Sequence, residues 1–509
     1  MSSVYQNYPA TPSAFVWLWG ILTPFLLLRC YMDHQNLHLY IAAAVELLGI
    51  IAAIHAVFSV RTSQGAIAWA ISLIFMPFLS LLPYLVFGRS RFYPYIHQRR
   101  KADRQMHEEV KRLSWRPWIA LAVLDADQFE RHPLRPFSQM NKRPILSHNH
   151  VRLLINGEAT FTAIVEAIAR ARQVVLVQFF IIKDDVIGKK LQQVLCERAE
   201  AGVEIYLLYD SIGSHALPRA YVERLEQAGI QVRAFTTRGG LLNCFQLNFR
   251  NHRKIVVVDG QFGYVGGHNV GDEYLGGNPR LSPWRDTHVE VQGPVVARLQ
   301  ESFSEDWYWA SGALPNLLPP RPYEGPQGMV CQVVTSGPAD TDETGSLFFV
   351  QCINLARNRV WLTSPYFVPD QAVMSALRLA VLRGVEVRLL LPSRPDHLMV
   401  YSASQLYAVE VARMGVQVYR YQPGFVHQKV VLVDDNLAAV GSANLDNRSF
   451  RLNFEIMVMV ENPEFARQVE QMLLNDFSQS LPLDLKTGPK PAYLQQLGMS
   501  VARLVAPVL

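Results

Sequence analysis

HRKIVVVD at residues 252–259 and HQKVVLVD at residues 427–434 decide how this 509-residue chain is organised. Each stretch contains the pattern His-x-Lys-x-x-x-x-Asp, which arises by chance on the order of once per 10⁴ positions at average residue usage. A glycine and, three residues later, an asparagine follow each stretch at the same offset, in GGHN (266–269) and GSAN (441–444). Two copies with matching tails indicate a duplicated unit whose copies share their chemistry.

Three further pairs of segments repeat in the same order. The pairs are AGVEIYLLYD (201–210) with RGVEVRLLLP (383–392), AGIQVRAF (228–235) with MGVQVYRY (414–421), and ARQVVLVQFF (171–180) with ARNRVWLTSP (356–365). Their offsets are 182, 186 and 185 residues, and the two histidines differ by 175. Each half alternates helical patterns with β-branched runs, which predicts an α/β fold with a mixed sheet flanked by helices.

Both motifs are strand-like and end in turn residues. Because residues i and i+2 of a strand share a face, His252 and Lys254 should point the same way, as should His427 and Lys429. The motif aspartates, Asp259 and Asp434, fall at the far end of each strand, where the spacing favours a capping role.

Further polar residues follow each motif. Asn269 and Asn444 are predicted to reach the same pocket, since the glycines before them allow close approach of the backbone. Asp286 lies 34 residues after His252, and Glu455 lies 28 residues after His427. A histidine that acts as nucleophile or acid needs an acceptor on its second ring nitrogen, so both carboxylates are candidates for that role.

The sequence indicates chemistry without a metal or an organic cofactor. No cluster has metal-ligand spacing, and there is no Gly-rich phosphate loop. Lys254 and Lys429 can supply the positive charge that a metal would bring. His268 and His288 lie outside the repeated pattern and are interpreted as structural. The five cysteines lack close pairing and are interpreted as reduced thiols in a cytoplasmic setting.

Two apolar runs precede the duplicated region. Residues 39–60 and 66–87 are each 22 residues long, sufficient for a hydrocarbon core of about 30 Å. They predict a transmembrane hairpin. An earlier apolar stretch, residues 15–28, is short and contains Pro24; we interpret it as interfacial or re-entrant rather than as a signal peptide. Composition agrees, because 50% of the residues are hydrophobic and only 18% are charged.

Basic residues between positions 89 and 112 follow the hairpin and predict a cytoplasmic segment beside anionic headgroups. A carboxy-terminal amphipathic stretch is predicted either to dock on the bilayer or to pack on the catalytic domain. The predicted organisation is an apolar segment (1–36), two transmembrane helices (37–90), a basic linker (91–150), a first lobe (151–325), a second lobe (326–485) and an amphipathic tail (486–509).

The duplicated motifs resemble those of the phospholipase D superfamily, whose signature is His-Lys-Asp followed by glycine and asparagine. Within it the chain is most similar to the membrane-anchored bacterial cardiolipin synthases, through TSPYFVPD (363–370), TSGP (335–338) and SANLDNRS (442–449). The resemblance implies two lobes about a pseudo-twofold axis that bring both histidines into one site. One departure is Gly267, which stands where the second copy has Ser442.

The resemblance also implies a reaction. His252 would attack one phosphatidylglycerol to form a phosphohistidine, while His427 would protonate the departing glycerol and then activate a second phosphatidylglycerol. Lys254, Asp259, Lys429 and Asp434 complete the catalytic motifs by resemblance. The two lysines, Asn269 and Asn444 would bind the phosphate, and Asp286 and Glu455 would orient the imidazoles.

The expected partners are phosphatidylglycerol as donor and acceptor and an anionic bilayer surface. Nucleic acid is not expected, because the membrane spans and the lack of a basic groove with interleaved aromatics argue against a nuclease. A hydrolytic phospholipase D or a phosphatidylserine synthase is the alternative, and a silent scaffold is disfavoured by the intact motifs. The expected location is the bacterial inner membrane, multi-pass, with cytoplasmic lobes; donor selectivity and homo-oligomerisation stay open.

Overall fold

The computed structural model describes residues 37–60, 62–88, 93–112, 122–123, 126–236, 248–321, 323–325 and 328–485. The predicted apolar segment at 1–36 and the amphipathic tail at 486–509 therefore lie outside the described residues. The chain divides into two compact units, Met1–Gly88 and Arg89–Leu509. The predicted membrane segments fall in the first unit and both lobes in the second.

The first unit contains three apolar helices: α1 Leu37–Ser59, α2 Ser63–Phe75 and α3 Pro77–Phe87. Within α1, residues His38–Ser59 have a mean hydropathy of 2.2, and by length and composition this helix alone among the described residues is able to cross a membrane. The first predicted span is thus one helix. The nitrogen Nδ1 of His55 in α1 lies 2.6 Å from the Tyr84 hydroxyl in α3, so this polar side chain faces protein.

The second predicted span, residues 66–87, is not one continuous helix. It breaks at Met76, which ends α2 and precedes α3. The cause is Pro77, because a proline has no N–H to donate to the carbonyl four residues earlier and its ring clashes with that carbonyl. Pro77 instead occupies the first turn of α3, where the missing N–H costs nothing.

The second unit is an α/β domain. Its described helices are α4 Tyr93–Arg112, α5 Ala126–Arg131, α6 Arg135–Asn141, α7 Asn156–Ala169, α8 Val186–Glu200, α9 Arg219–Gln227, α10 Val296–Ser311, α11 Thr344–Leu355, α12 Gln371–Leu382, α13 Leu398–Arg413, α14 Asn447–Arg451 and α15 Pro463–Ser478, with a 3-10 turn at Asp272–Leu275. Side chains cap the amino-terminal ends of three of the longer helices: Asp185 caps α8, Asp370 caps α12 and Asn462 caps α15.

The strands of the first half are β1 Leu146–Ile155, β2 Val174–Phe179, β3 Glu204–Asp210, β4 Gln231–Phe235, β5 Arg250–Asn251, β6 Ile255–Val258, β7 Phe262–Gly266, β8 Trp284–Arg285 and β9 Thr287–Gln292. Those of the second half are β10 Met329–Ser336, β11 Arg359–Thr363, β12 Phe367–Val368, β13 Glu386–Pro392, β14 Gln417–Tyr421, β15 Phe425–Val426, β16 Val430–Val433, β17 Leu437–Gly441, β18 Leu445–Asp446, β19 Asn453–Glu461 and β20 Ser480–Pro482.

The strand order confirms the predicted duplication. The order is β4-β3-β2-β6-β7-β9-β1 in the first half and β10-β19-β17-β16-β11-β13-β14-β20 in the second. Apart from the added edge strand β20, the second half mirrors the first around the antiparallel pair of β1 and β10. Three parallel strands lie at the outside of each half and antiparallel strands lie toward the middle. This arrangement is the pseudo-twofold pair of lobes that the sequence predicted.

Two short parallel ladders connect the halves. In one, β5 of the first half pairs with the start of β19. In the other, β15 of the second half pairs with β8. Each ladder therefore joins the residues just before one histidine to residues of the opposite lobe.

The two motif strands lie at the centre of their lobes. Every residue of β6 and of β16 is buried, as expected for strands covered by helices on both faces. The predicted basic linker contributes α4, which packs on α10 in the same unit. Arg99 of α4 forms ion pairs with Glu305 and Asp340. This arginine is one of the basic residues predicted to lie beside anionic headgroups, and it binds protein carboxylates instead.

Candidate active site

Both motif histidines line one cavity of about 430 Å³ between the lobes. Its wall also contains Phe180, Ile181, Arg250, Asn269, Glu273, Tyr274, Asn278, Leu281, Trp284, Tyr366, Asp396, His397, Val400, Asn444, Asp446, Arg448 and Asn453. The volume lies in the lower part of the range for small-molecule sites. A single phosphate group in this cavity would be within reach of both lobes.

Each histidine is held by a carboxylate of the opposite half. The Nδ1 atom of His252 lies 2.9 Å from Oε2 of Glu455, and Nδ1 of His427 lies 2.7 Å from Oδ2 of Asp286. Both carboxylates are fully buried. The sequence identified all four residues, but it did not reveal that the pairs cross between the lobes.

The crossing follows from strand register. In the first short ladder Asn251 pairs with Phe454, so the next residues along the chain, His252 and Glu455, come side by side. The backbone N–H of His252 donates to the Phe454 carbonyl at 3.0 Å and fixes this register.

The second ladder repeats the arrangement. Val426 pairs with Arg285, which places His427 beside Asp286, and the N–H of His427 donates to the Arg285 carbonyl at 2.7 Å. Each ladder contains only two residue pairs, and this is sufficient to place the carboxylate of one lobe beside the histidine of the other.

The carboxylates set the tautomer of both rings. An ionised carboxylate only accepts hydrogen bonds, so Nδ1 of each histidine carries the proton and Nε2 keeps its lone pair. Burial lowers the pKa of His252 to about 4, although Glu455 opposes this effect. Burial and the neighbouring Lys429 hold the pKa of His427 well below its usual value. Both imidazoles are therefore neutral at pH 7 before an anionic ligand binds.

Glu455 is anchored by three polar side chains of its own lobe. Its Oε2 accepts from the Ser442 hydroxyl at 2.6 Å, and its Oε1 accepts from Ser449 at 2.8 Å and Asn453 at 3.2 Å. Burial would raise the pKa of Glu455, but its contacts with His252, Lys254 and Ser442 together outweigh burial and lower it. A carboxylate so fixed leaves His252 little freedom to rotate.

Asp286 is held by different groups from those that hold Glu455, and this difference explains why residue 267 is a glycine. Its Oδ1 accepts from the backbone N–H of Thr287 at 2.8 Å. A Cβ atom at position 267 would lie 2.1 Å from the same Oδ1. The first lobe therefore has no room for the serine that the second lobe has at position 442.

The two motif lysines are buried next to their histidines. Nζ of Lys254 donates to the backbone carbonyl of His252 at 2.6 Å, and Nζ of Lys429 lies 3.1 Å from Nε2 of His427. Burial lowers the pKa of Lys254 to about 7 and that of Lys429 to about 8. An anion in the cavity would favour the charged form of both side chains.

Both predicted asparagines line the cavity. Oδ1 of Asn269 accepts from the Ile181 N–H at 3.2 Å, which leaves its Nδ2 directed at the Tyr274 hydroxyl. The Asn444 side-chain oxygen is buried without a hydrogen-bond partner among the described residues. Both amides thus have hydrogen-bonding capacity at the cavity wall.

The motif aspartates lie away from the cavity, at the opposite ends of β6 and β16. Four strand residues separate each one from its lysine, which amounts to about 16 Å. Asp259 accepts from the N–H groups of residues 172–174, and Asp434 accepts from those of residues 357–359. Both have a left-handed backbone, with φ of 51° and 49°. This geometry matches the capping role that the strand pattern favoured, and neither carboxylate lines the cavity.

His268 and His288, interpreted as structural, contact each other. Their Nδ1 atoms are 3.1 Å apart, and burial lowers the pKa of each to about 3. Neither lines the cavity.

Arg253, which lies between His252 and Lys254, forms a hydrogen-bond network that was not predicted from the sequence. Arg253 is buried and donates to Oδ2 of Asp306 at 2.9 Å and to the Glu455 carbonyl at 3.2 Å. Oδ1 of Asp306 accepts from the Tyr95 hydroxyl of α4 at 2.6 Å. The Tyr95 ring packs 4.6 Å from that of Phe454. Helix α4 is therefore linked through Asp306 to Arg253, and it packs on Phe454, whose carbonyl accepts from the His252 N–H.

The second lobe has the corresponding network with different residues. Gln428 stands where the first motif has Arg253, and it donates to Asp476 at 2.9 Å. Arg285 forms two hydrogen bonds with the same carboxylate, at 2.8 and 2.9 Å. The sequence signal for these aspartates was weak, because each is one polar residue in an amphipathic helix.

Two more cavity residues, Tyr366 and Asp446, entered the sequence analysis only as parts of the segments that carried the resemblance. Tyr366, in TSPYFVPD, hydrogen-bonds Asp396. Asp446 follows the second asparagine; burial raises its pKa to about 6, and its Oδ1 caps α14 by accepting from Ser449 N–H at 2.7 Å. Among the residues that the structure describes, no group of three or more His, Cys, Asp or Glu side chains forms a metal site.

Two family models match the chain. One, described as "Cardiolipin synthase, PLD-like domain", matches residues 164–307 and 349–477. The other, described as "Phospholipase_D-nuclease N-terminal", matches residues 47–89. The first model covers the two lobes separately and includes both motifs.

Curated relatives and one solved structure are similar over most of the chain. Cardiolipin synthase A of Pseudomonas aeruginosa is 63% identical over 465 residues, covering 91% of this chain and 95% of the relative. Cardiolipin synthase A of Pseudomonas fluorescens is 58% identical and that of Pseudomonas putida 56%, each covering 94% of this chain and 100% of the relative. The phosphatidylserine synthase structure from Haemophilus influenzae shares the fold, with a TM-score of 0.57 at 15% identity over 74% of this chain and all of that one.

Proposed function

The chain belongs to the phospholipase D-like cardiolipin synthase family, and we propose that it transfers a phosphatidyl group from one phosphatidylglycerol to another through a phosphohistidine. Cardiolipin synthesis is the function that the high identity to curated cardiolipin synthases supports. The enzyme is then a phosphatidyltransferase, in the class that transfers substituted phosphate groups. The single observation that carries the proposed mechanism is the pair of crossed His–carboxylate contacts at one cavity.

In the first step His252 acts as the nucleophile, an assignment that follows the resemblance to the superfamily. Its neutral Nε2 attacks the phosphorus of the donor phosphatidylglycerol, forming a P–N bond as the P–O bond to the headgroup glycerol breaks. His427 donates a proton to the departing oxygen and glycerol leaves. The anionic phosphodiester raises the pKa of His427 on binding, which supplies the protonated form that this step needs.

In the second step the acceptor phosphatidylglycerol enters. Its terminal hydroxyl attacks the phosphatidyl-His252 intermediate, His427 removes the hydroxyl proton, and the P–N bond breaks. Cardiolipin is released, and His252 and His427 return to their starting states for the next cycle. A lipid alcohol at high local concentration in the bilayer competes well with water for the intermediate, which favours transfer over hydrolysis.

Four side chains are assigned to the phosphoryl oxygens: Lys254, Lys429, Asn269 and Asn444. All four are buried, the asparagines in the cavity wall and the lysines next to the histidines that line it. These positions support electrostatic stabilisation of the transition state, since such donors act strongly where water is excluded. Lys254 and Lys429 gain full charge once the anionic substrate has entered.

The proposed location is the bacterial inner membrane, with more than one span and the lobes on the cytoplasmic side. The apolar helix α1 and the apolar pair α2 and α3 support this topology. The basic residues that follow them support the cytoplasmic orientation, because positive residues near a span are retained on that side.

The direct test supplies the purified full-length chain in detergent with labelled phosphatidylglycerol. We expect cardiolipin and glycerol in equal amounts from the wild type, and no cardiolipin from His252→Ala or His427→Ala. The matched control is His150→Ala, a histidine outside the cavity, which should retain activity. Phosphatidic acid as the only product would overturn transfer in favour of hydrolysis. Phosphatidylserine formed on addition of serine and an activated phosphatidyl donor would favour a phosphatidylserine synthase.

A further inference from the structure

One loop from each lobe contributes to the wall of the active-site cavity. The first loop consists of the 3-10 turn and the residues after it, and it places Tyr274, Asn278 and Leu281 in the cavity wall. The second loop precedes α13 and places Asp396 and His397 there. The two loops touch, because Arg394 donates to the Arg280 carbonyl at 3.4 Å.

Large apolar side chains are exposed on these loops. Leu398 and Met399, in the first turn of α13, are 74% and 54% exposed, and they lie between the wall residues His397 and Val400. On the opposite loop Leu275 is 44% exposed and follows the wall residue Tyr274. Single exposed leucines are common on proteins and need no explanation. Three exposed apolar side chains, two leucines and a methionine, beside wall residues of one cavity and on segments from different lobes do need an explanation.

The size of the cavity indicates what lies outside it. About 430 Å³ accommodates a ligand no larger than a small drug molecule, and two phosphatidylglycerols carry four acyl chains. Each chain extends through half of a hydrocarbon core that is about 30 Å thick. The headgroups therefore fit inside the cavity, and the chains have to stay beyond its mouth.

Basic residues of the two loops also fit a lipid environment outside the cavity. Arg280 and Arg394 are both exposed, on the same loops as the apolar side chains. Apolar side chains next to basic ones are typical of protein surfaces that enter an anionic membrane interface.

We propose that Leu275, Arg280, Arg394, Leu398 and Met399, which we term the mouth rim, insert into the anionic bilayer around the cavity entrance. The apolar side chains enter the acyl region, and the two arginines contact lipid phosphates. The substrate headgroups then reach the histidines while their chains stay in the leaflet. This inference rests on the proposed use of phosphatidylglycerol as substrate.

The test of contact is site-specific photocrosslinking. The full-length chain carrying benzoylphenylalanine at position 398 is reconstituted in vesicles of phosphatidylglycerol and phosphatidylcholine with labelled chains, and is then irradiated. The matched control carries it at Leu382, which is 67% exposed at the end of α12. That position lies toward the opposite side of the lobe, since the adjacent Arg383 contacts the Ile353 and Asn354 carbonyls near the Asp434 cap. We expect lipid adducts at position 398 and not at position 382.

A second measurement compares two substrates. The double variant Leu398→Ser/Met399→Ser is assayed with long-chain phosphatidylglycerol in vesicles and with short-chain, monomeric phosphatidylglycerol. We expect the rate with vesicles, divided by the rate with the monomeric substrate, to fall about tenfold or more. The reason is that the apolar contacts that hold the mouth in the bilayer are lost. The control Leu379→Ser/Leu382→Ser should leave this ratio within about twofold of the wild type.

The outcomes separate this inference from the proposed function. If wild type makes cardiolipin but position 398 yields no more lipid adduct than position 382, or the rate ratio of the rim variant is unchanged, the rim inference is overturned. Crosslinking also proceeds in the His252→Ala background, since it needs no catalysis. Lipid adducts at position 398, together with a chain of wild-type active site that makes no cardiolipin from phosphatidylglycerol, would therefore support the rim and overturn the proposed function. Crosslinking to a protein instead of lipid would assign the rim to a protein partner and overturn the inference.

Discussion

Glu455 of the second lobe accepts a hydrogen bond from Nδ1 of His252 in the first lobe, at 2.9 Å. Asp286 and His427 make the reciprocal contact. The consequence is that neither lobe has a complete histidine–carboxylate pair from its own residues. The two lobes can gain such pairs only by associating, which gives a physical reason for two copies of the unit in one chain.

Neutralising either carboxylate should remove activity without unfolding the protein. Glu455→Gln and Asp286→Asn keep the size of the side chain but allow its amide to present N–H toward Nδ1, so the histidine adopts the wrong tautomer. We expect kcat to fall by about 10²-fold or more, since general acid–base and nucleophilic roles of a histidine are of that size. Steady-state kinetics with phosphatidylglycerol would measure it, with the exposed Glu464→Gln as control. Activity within a few-fold of the wild type in both variants would contradict the assigned roles.

The two small residues after the motifs should respond differently to substitution. Gly267→Ser places a side chain against Asp286 and should displace it from His427, with a loss of activity comparable to that of Asp286→Asn. Ser442→Ala only removes one hydrogen bond to Glu455, and a loss of roughly tenfold is expected. Measured kcat values for the two variants would test this order; equal effects would contradict it.

Asp434→Ala should reduce stability much more than chemistry. The substitution leaves the N–H groups of residues 357–359 without their acceptor and places alanine at a left-handed φ, so we expect a loss of at least ~2 kcal/mol in the free energy of unfolding. Denaturant unfolding measures the stability, and kcat per folded molecule should stay within a few-fold. Asp435→Ala, at the adjacent and exposed position, is the control. A large fall in kcat with unchanged stability would instead support a chemical role.

The pH dependence of kcat/KM should be bounded by His252 on the acid side and by His427 and the two lysines on the alkaline side. As the pH falls toward 4, His252 is protonated and loses its nucleophilic lone pair. As the pH rises, His427 loses the proton that it donates to the departing glycerol, because burial and Lys429 hold its pKa well below the usual value. Through about 7 and 8, Lys254 and then Lys429 lose the charge that binds phosphate, because burial lowers the pKa of both. We therefore expect a bell-shaped profile. Lys429→Arg should retain more activity at high pH than wild type relative to its own maximum, since a guanidinium stays charged. If Lys429→Arg leaves the alkaline limb of the kcat/KM profile unchanged, Lys429 is ruled out as a cause of that limb.

Tyr95→Phe should weaken the attachment of α4 beside the active site. The substitution removes the hydrogen bond to buried Asp306, at an expected cost of about 1–2 kcal/mol in unfolding free energy. Since Asp306 also holds Arg253, activity should fall together with stability. Tyr419→Phe, whose hydroxyl contacts Gln417 in an exposed position, provides the comparison. Equal stability of the two variants would show that the buried contact contributes nothing measurable.

Much of the fold was predictable because the sequence signals for it were periodic or repeated. The strand pattern of the motifs, the second copy at a regular offset and the long apolar run at 39–60 each report on local backbone structure. The break of the second apolar run at Met76 had a visible cause in Pro77, yet prolines also occur inside packed helices, so the sequence allowed both outcomes.

The sequence by itself determined which residue types serve the site: two His-Lys pairs, two carboxylates and two asparagines in a duplicated α/β frame. Only the tertiary structure decided how they are matched. The distance along the chain associates Asp286 with His252, but the two-residue ladders before each histidine join it to the other lobe. Tyr95 likewise meets Asp306 across 211 residues. Pairings between distant segments depend on strand register and on the docking of whole lobes, and no local pattern of side chains encodes either.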